Sequence, residues 1–186
     1  MKKVCVFCSA SLKLPQEYYD LSYQFGKRLA ENGLGVVYGG STVGMMGKLA
    51  DGALSANGHV VGVIPDFLKK REIQHHGLSE IHHTQDMHQR KRKMYDMTDC
   101  FVALPGGYGT LDESFEAITW NQLGQINKPL YFINYKGFYD FIKTFHQRAE
   151  KEFFIKSYEN YQAPILNSVD EFFQILAEHN KNESNQ

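Results

Sequence analysis

The sequence predicts an α/β fold: a Rossmann-like, doubly wound and mostly parallel sheet with helices on both faces. Two observations carry that reading. Short apolar runs rich in β-branched and aromatic residues alternate along the chain with longer stretches of helical period. Such alternation gives parallel strands joined by helical crossovers that cover both sheet faces. At 186 residues the chain has the length of one domain. Residues 1–180 are therefore read as a single domain. The stretch 181–186 is polar, with no apolar residue to bury, and is read as a flexible tail.

The elements follow in order. Residues 3–8 form the first apolar run, a buried strand. Residues 17–32 are helical, with Tyr18, Leu21, Phe25 and Leu29 near the 3.6-residue period and Gly33 as the stop. Residues 35–38 are a strand, and residues 45–57 a helix ended by Gly58. Residues 59–64 are a strand ended by Pro65, and residues 66–86 show no regular pattern. A polar helix spans 88–97, a strand 100–104 and a helix 110–123. A strand at 130–134, a helix at 138–153 and a last helix at 169–179 complete the series. Ligands of such sheets bind at the carboxyl ends of the strands, so the loops leaving the strands are where chemistry belongs.

Composition narrows the function classes. The chain is 42% hydrophobic and 22% charged, which is globular rather than disordered. Twenty Lys and Arg against 21 Asp and Glu leave a formal charge of -1, which argues against nucleic acid or a membrane surface as partner. Three cysteines cannot make a disulfide framework, and Cys5 and Cys8, although spaced C-x-x-C, fall in the first strand, where cysteine packs as a small hydrophobe. The apolar stretch after Met1-Lys2-Lys3 ends after about five residues, too short for a secretion signal. The expected location is the cytoplasm.

Three of the strand-exit loops share a composition. They are Ser9-Ala10-Ser11, then Gly39-Gly40-Ser41-Thr42 leading to Gly44, then Pro105-Gly106-Gly107-Tyr108-Gly109-Thr110. Glycine lets backbone approach a ligand, and the free N–H groups of the helix that follows attract phosphate. The common nucleotide fingerprints are absent: Gly47-Lys48 is followed by Leu49, and Gly107-Tyr108-Gly109 by Thr110-Leu111-Asp112. Glu113 has two readings. With Thr110 it forms T-x-x-E, the pattern of a capping box. Beside a bound phosphate the same carboxylate would instead carry a cost, which a role against developing positive charge would explain. In the basic run 88–93, Arg90 and Met94 share one helix side, so part of the run is simply solvated. An arginine there suits a phosphate or carboxylate fork. The eight histidines show no metal-ligand spacing, so no metal is expected.

With these residues in view, the sequence resembles the LONELY GUY (LOG) family of cytokinin riboside 5'-monophosphate phosphoribohydrolases. The resemblance runs from Val4 to about Phe154. Its most specific part is Pro105 to Glu113, which fits P-G-G-x-G-T-x-x-E. Met87-His88-Gln89-Arg90-Lys91 with Met94 fits the family's R-K-x-x-M helix. Tyr38-Gly39-Gly40 with Gly44 and Gly47, Val63-Ile64-Pro65 and Trp120-Asn121-Gln122-Leu123-Gly124 also agree. Ala10 stands where the family commonly has glycine.

The resemblance implies Arg90 and Glu113 as the catalytic pair. It implies Lys91 and the loop Gly107, Tyr108, Gly109 and Thr110 as nucleotide ligands, with Glu72 and Thr119 at further substrate contacts. Ser9, Gly39, Gly40 and Gly106 belong to the phosphate-gripping loops. The implied reaction hydrolyses the N-glycosidic bond of a purine nucleoside 5'-monophosphate, giving free base and ribose 5-phosphate, with no cofactor and as a homodimer. An oxocarbenium-like sugar would then face an ionised Glu113. The lysine decarboxylase label that members have carried requires a Schiff-base lysine in a cofactor site, which the sequence does not present. Two alternatives stay open at this stage: a nucleotide carrier without turnover, and hydrolysis of plain AMP.

Overall fold

Apolar strands alternating with amphipathic helices are buried on both faces only when the helices divide between the two sides of one sheet. The structure, a computed structural model, has that arrangement and describes residues 2–68, 74–156 and 163–184. Seven strands are β1 (Lys3–Phe7), β2 (Gly35–Tyr38), β3 (Val60–Pro65), β4 (Glu80–Thr84), β5 (Cys100–Ala103), β6 (Leu130–Ile133) and β7 (Ile165–Leu166). Among the described residues the α-helices are α1 (Gln16–Glu31), α2 (Gly44–Ser55), α3 (Met87–Asp96), α4 (Tyr108–Gln122), α5 (Asp140–Lys151) and α6 (Val169–Ser184). The sheet order is β4-β3-β2-β1-β5-β6-β7, and the strands pair in parallel.

The chain steps outward from β1 to β4, then crosses back to β5 and steps outward the other way. β1 and β5 are therefore neighbours whose connections leave toward opposite edges, with Phe7 paired to Ala103 at their carboxyl ends. That is the switch point at which such sheets open a crevice.

One sheet face packs Val4, Val6 and Tyr38 against Phe25 and Leu29 of α1, Leu49 of α2 and Phe172 of α6. The other packs Phe7, Val61 and Phe101 against Tyr95 of α3, Ala117 of α4 and Ile142 of α5. Tyr95 meets Phe101 edge-on at 5.0 Å and Trp120 at 5.1 Å, pairs of the kind worth about 0.5–1.5 kcal/mol each beyond area burial. The Ser22 hydroxyl donates to the Met45 carbonyl at 2.7 Å, and the Met45 N–H donates to the Ser9 carbonyl at 2.9 Å. These two bonds tie α1, the start of α2 and the β1 exit loop together.

Four details depart from the sequence reading. β4 lies inside the stretch 66–86 that showed no pattern, because it is an edge strand with only Thr84 buried. β7 is two residues long at the other edge, too short to give a signal. α6 runs to Ser184, four residues into the segment read as tail, since extending a docked helix adds one backbone bond per residue fixed. α4 starts at Tyr108, two residues before the expected Thr110, because Gly107 is its N-cap. Cys5 and Cys8 fall in the cores on opposite sheet faces and are free, and burial pushes both thiols up. Among the described residues no helix is long and apolar enough to cross a membrane.

Candidate active site

Helix α3 begins where Asp86 caps it. The Asp86 carboxylate accepts the Gln89 N–H at 2.8 Å, and the Gln89 amide oxygen accepts the Gln85 N–H at 3.1 Å. The cap sets the helix phase. Arg90, Lys91, Met94 and Tyr95 are buried, while Arg92 and Lys93 stay in solvent. Arg92 pairs with Asp96 at 3.0 Å, so the basic run divides into an inward and a solvated part as expected.

A cavity of about 230 Å³ opens at the carboxyl ends of β1 and β5. Cys8, Ser9 and Ala10 line it from the β1 loop, and Gly107, Gly109, Thr110 and Glu113 from α4. Met46, Met87 and Arg90 complete it. Two charged side chains meet inside. Arg90 Nη2 lies 4.0 Å from Glu113 Oε1, with 7% and 11% of the two side chains exposed. The guanidinium and the carboxylate bring opposite charges together in the cavity, just beyond hydrogen-bond reach.

The start of α4 faces the same space. No side chain caps Gly107, and the Leu111 N–H is bonded to the Gly107 carbonyl at 3.1 Å. The N–H groups of Tyr108, Gly109 and Thr110 precede it and have no acceptor within the helix, an arrangement that favours an anion nearby. A Cβ built on Gly107 or Gly109 would meet nothing within 4 Å, so packing does not demand glycine at either position. Both line the cavity, and the room they leave is room for a ligand. Thr110 is the third residue of α4 rather than its cap, so T-x-x-E is not a capping box here. The Glu113 backbone carbonyl accepts the Tyr95 hydroxyl at 2.7 Å, which fixes α4 against α3.

The remaining expected residues divide into three groups. Ser9 lines the cavity, with its hydroxyl oxygen accepting the Ser11 N–H at 3.1 Å. Gly39 lies under Arg90: a Cβ there would run into Arg90 Nη2 and Met46 Sδ. Gly106 leaves space that the Thr110 side chain fills. Gly40 has φ +77°, a left-handed conformation that suits glycine, and its carbonyl accepts the His75 N–H at 3.0 Å. Lys91, Tyr108 and Thr119 lie apart, along an outer groove of α4 with Asp112 and Glu116. Tyr108 is 93% exposed, and the Thr119 hydroxyl is bonded to the Phe115 carbonyl at 2.8 Å. Glu72 falls outside the described residues.

Lys91 is nearly as buried as Arg90, but its ammonium is spent. It lies 2.7 Å from Glu116 Oε2 and 3.1 Å from Asp112 Oδ2. Burial alone would lower its pKa, yet the bonds from Glu116 and Asp112 outweigh burial and hold it above the usual lysine range. Sequence reasoning assigned no role to Cys8, Met46 or Met87, which also line the cavity. Met87 had a signal: it stands three residues before Arg90 and so shares its helix face.

Comparison with known proteins gives the same direction. The family model described as possible lysine decarboxylase matches residues 46–179. The cytokinin riboside 5'-monophosphate phosphoribohydrolase LOG2 of Arabidopsis thaliana is 38% identical over 178 residues, covering 96% of this chain and 84% of its own. The cytokinin riboside 5'-monophosphate phosphoribohydrolase of Rhodococcoides fascians is 45% identical over 155 residues, covering 83% and 78%. Among solved structures, TM1055 superposes with a TM-score of 0.73 at 24% identity, covering 96% of this chain and 99% of that one. The molybdenum cofactor binding protein of Rippkaea orientalis superposes with a TM-score of 0.70 at 21% identity, covering 96% and 97%. At these identities the two structures establish the fold.

Proposed function

Because the chain belongs to the LOG family, whose model carries the description possible lysine decarboxylase, we propose that it hydrolyses the N-glycosidic bond of N6-modified adenosine 5'-monophosphates. The products are the free base and ribose 5-phosphate. The observation that carries this reading is the buried Arg90–Glu113 pair, 4.0 Å apart, in a cavity that also holds the uncapped start of α4.

The geometry supports a division of labour. The 5'-phosphate sits on the free N–H groups of Tyr108, Gly109 and Thr110, beside the Ser9 loop. That remote grip places the ribose over Glu113. As the C1'–N bond breaks, the electron pair leaves with the base and the sugar becomes oxocarbenium-like. The Glu113 carboxylate stabilises that charge and orients the attacking water. Water adds its oxygen to C1', one proton is released from it, and the base leaves with one proton gained. Arg90 sets its positive charge beside Glu113 and offers its N–H donors to the nucleotide. Lysine decarboxylation finds little support in the same residues. Lys91, the buried lysine among the described residues, is held charged by two carboxylates, whereas Schiff-base chemistry needs a neutral amine.

The working form in this reading is a cytoplasmic homodimer. Three buried free thiols suit a reducing compartment. Helices α4 and α5 carry an apolar outer strip in which Phe115 meets Phe145 at 6.2 Å, and Phe141 and Phe145 are 49% and 51% exposed. A second copy covering that strip is the natural occupant.

The test is direct. Purified protein is incubated with AMP and, separately, with isopentenyladenosine 5'-monophosphate, and free base and ribose 5-phosphate are resolved by chromatography. Release is expected from at least one nucleotide, with the rate ratio reporting the value of the N6 group. Glu113→Gln should keep nucleotide binding and lose about 10²–10⁴-fold in turnover, the usual worth of a positioned carboxylate in such chemistry. Binding without release from either nucleotide would replace hydrolysis by a carrier role.

A further inference from the structure

The guanidinium of Arg90 has five N–H donors and almost nothing to give them to. Among the described residues its side chain makes one hydrogen bond, from Nη1 to Met87 Sδ at 3.7 Å. Its Nε is buried without a partner. Its Nη2 stands 4.0 Å from Glu113 Oε1, beyond hydrogen-bond reach. A buried charged donor left this way is costly, and a fold keeps it only where something else will accept the bonds.

The side chain is nevertheless held in place. Met87 is the first residue of α3, so it lies on the helix face of Arg90, one turn earlier. On the opposite side, Arg90 Nη2 and Met46 Sδ together fill the space above Gly39 that a Cβ would need. The cradle consists of two thioethers and a bare glycine. Thioether sulfur is polarisable but a weak acceptor. A carboxylate in place of Met87 would take the donors outright, as Asp112 and Glu116 take those of Lys91. A hydrocarbon would pack as well but give Nη1 no direction.

We propose that Met87 is a positioning residue for Arg90: its sulfur orients the guanidinium while leaving the donors free for the nucleotide. This rests on the hydrolase reading above, but it concerns how Arg90 is presented to any phosphorylated sugar. Two substitutions of similar length separate orientation from packing. Met87→Leu keeps the bulk and removes the acceptor. Met87→Gln keeps the length and supplies an amide oxygen strong enough to capture Nη1.

The experiment compares wild type with both variants in three readouts: melting temperature, calorimetric affinity for ribose 5-phosphate, and kcat and KM for base release. Met87→Gln is expected to lose at least about tenfold in affinity and in kcat/KM, the effect of one diverted charge-assisted hydrogen bond. Met87→Leu should fall between it and wild type, with the loss mainly in kcat, and the three melting temperatures should agree. Two results overturn the proposal: both variants matching wild type, or losses that follow the melting temperature regardless of side-chain chemistry. If wild type binds ribose 5-phosphate but releases no base, hydrolysis falls and the affinity order alone decides the role of Met87. If wild type neither binds nor turns over, both readings fall.

Discussion

Arg90 and Lys91 are neighbours on one helix, each side chain with less than a tenth of its surface exposed, and they lead opposite lives. The ammonium of Lys91 is neutralised by Asp112 and Glu116 of α4. The guanidinium of Arg90 has a sulfur atom for a partner and a carboxylate just out of reach. A buried cation with its counter-charges in contact leaves them uncompensated if it is removed. A buried cation with unused donors raises the energy of the empty site and lowers that of the occupied one. On the proposed reading the difference separates a part of the scaffold from a part of the chemistry, although sequence spacing gives both residues the same inward-facing helix.

The largest effect that tests this contrast is on Arg90. Arg90→Met should cost about 10²–10³-fold in base release, the usual loss when one preorganised donor group is removed from a developing charge. The same variant should be as stable as wild type, or more stable by about 1 kcal/mol, because an unsatisfied buried charge is replaced by an apolar side chain of similar length. Urea denaturation read by circular dichroism checks the second half. An Arg90→Met protein that is inactive because it is unfolded would break the contrast. Next comes Gly39→Ala, whose added methyl would enter the space that Arg90 Nη2 and Met46 Sδ occupy. Displacing the guanidinium by a fraction of an ångström should lower kcat/KM about tenfold or more, part of it in nucleotide affinity because Arg90 donates to the nucleotide. Steady-state kinetics and calorimetry would check it.

Lys91→Met tests the other half. It strips Asp112 and Glu116 of their shared counter-ion. Asp112 is well exposed and re-solvates, whereas Glu116 has only 21% of its side chain in solvent. A loss of about 1–2 kcal/mol in unfolding free energy is expected. The pH dependence has a definite sign. The pKa of Lys91 is raised above 10.5 in the folded state, so its contribution is complete below the unfolded value and is lost as pH rises through the folded one. The gap between wild type and Lys91→Met should therefore be flat from neutral pH to about 9 and close above about 10.5, as the linkage requires. A lysine that instead gripped the nucleotide phosphate would appear as a raised KM with unfolding free energy intact.

Much of this was legible in the sequence, and the rest was missing for identifiable reasons. Strands β1, β2, β3, β5 and β6 are near-continuous apolar runs because both faces are covered, so each announced itself. β4 presents Glu80, His82 and His83 at the sheet edge, and polar side chains there carry no periodic signal. In the site, Arg90 and Glu113 meet as the motifs implied, and Gly107, Gly109, Thr110 and Ser9 line the same cavity. The separate fate of Lys91 was not legible. Asp112 and Glu116 lie four residues apart and share one face of α4, but that this face meets Lys91 of α3 is set by how the two helices pack, which local spacing does not encode.

The smallest effect concerns how the two helices are joined, and it sharpens the contrast most finely. Tyr95 donates to the Glu113 carbonyl at 2.7 Å, and its hydroxyl is also 3.3 Å from Glu116 Oε2, the carboxylate that Lys91 holds. Tyr95→Phe should cost about 1 kcal/mol, since the Glu113 carbonyl keeps its place in the helix ladder. Because Tyr95 and Lys91 share Glu116, the double variant Tyr95→Phe with Lys91→Met should be less destabilised than the sum, by about 0.5 kcal/mol or more, as expected for residues in one network. Arg90→Met paired with Tyr95→Phe should couple less than the first pair, because Arg90 faces the Glu113 carboxylate at 4.0 Å whereas Tyr95 bonds the Glu113 backbone carbonyl. Additivity in the first pair would take Tyr95 out of the Lys91 network, and coupling in the second as large as in the first would mean that Arg90 and Lys91 belong to one electrostatic unit.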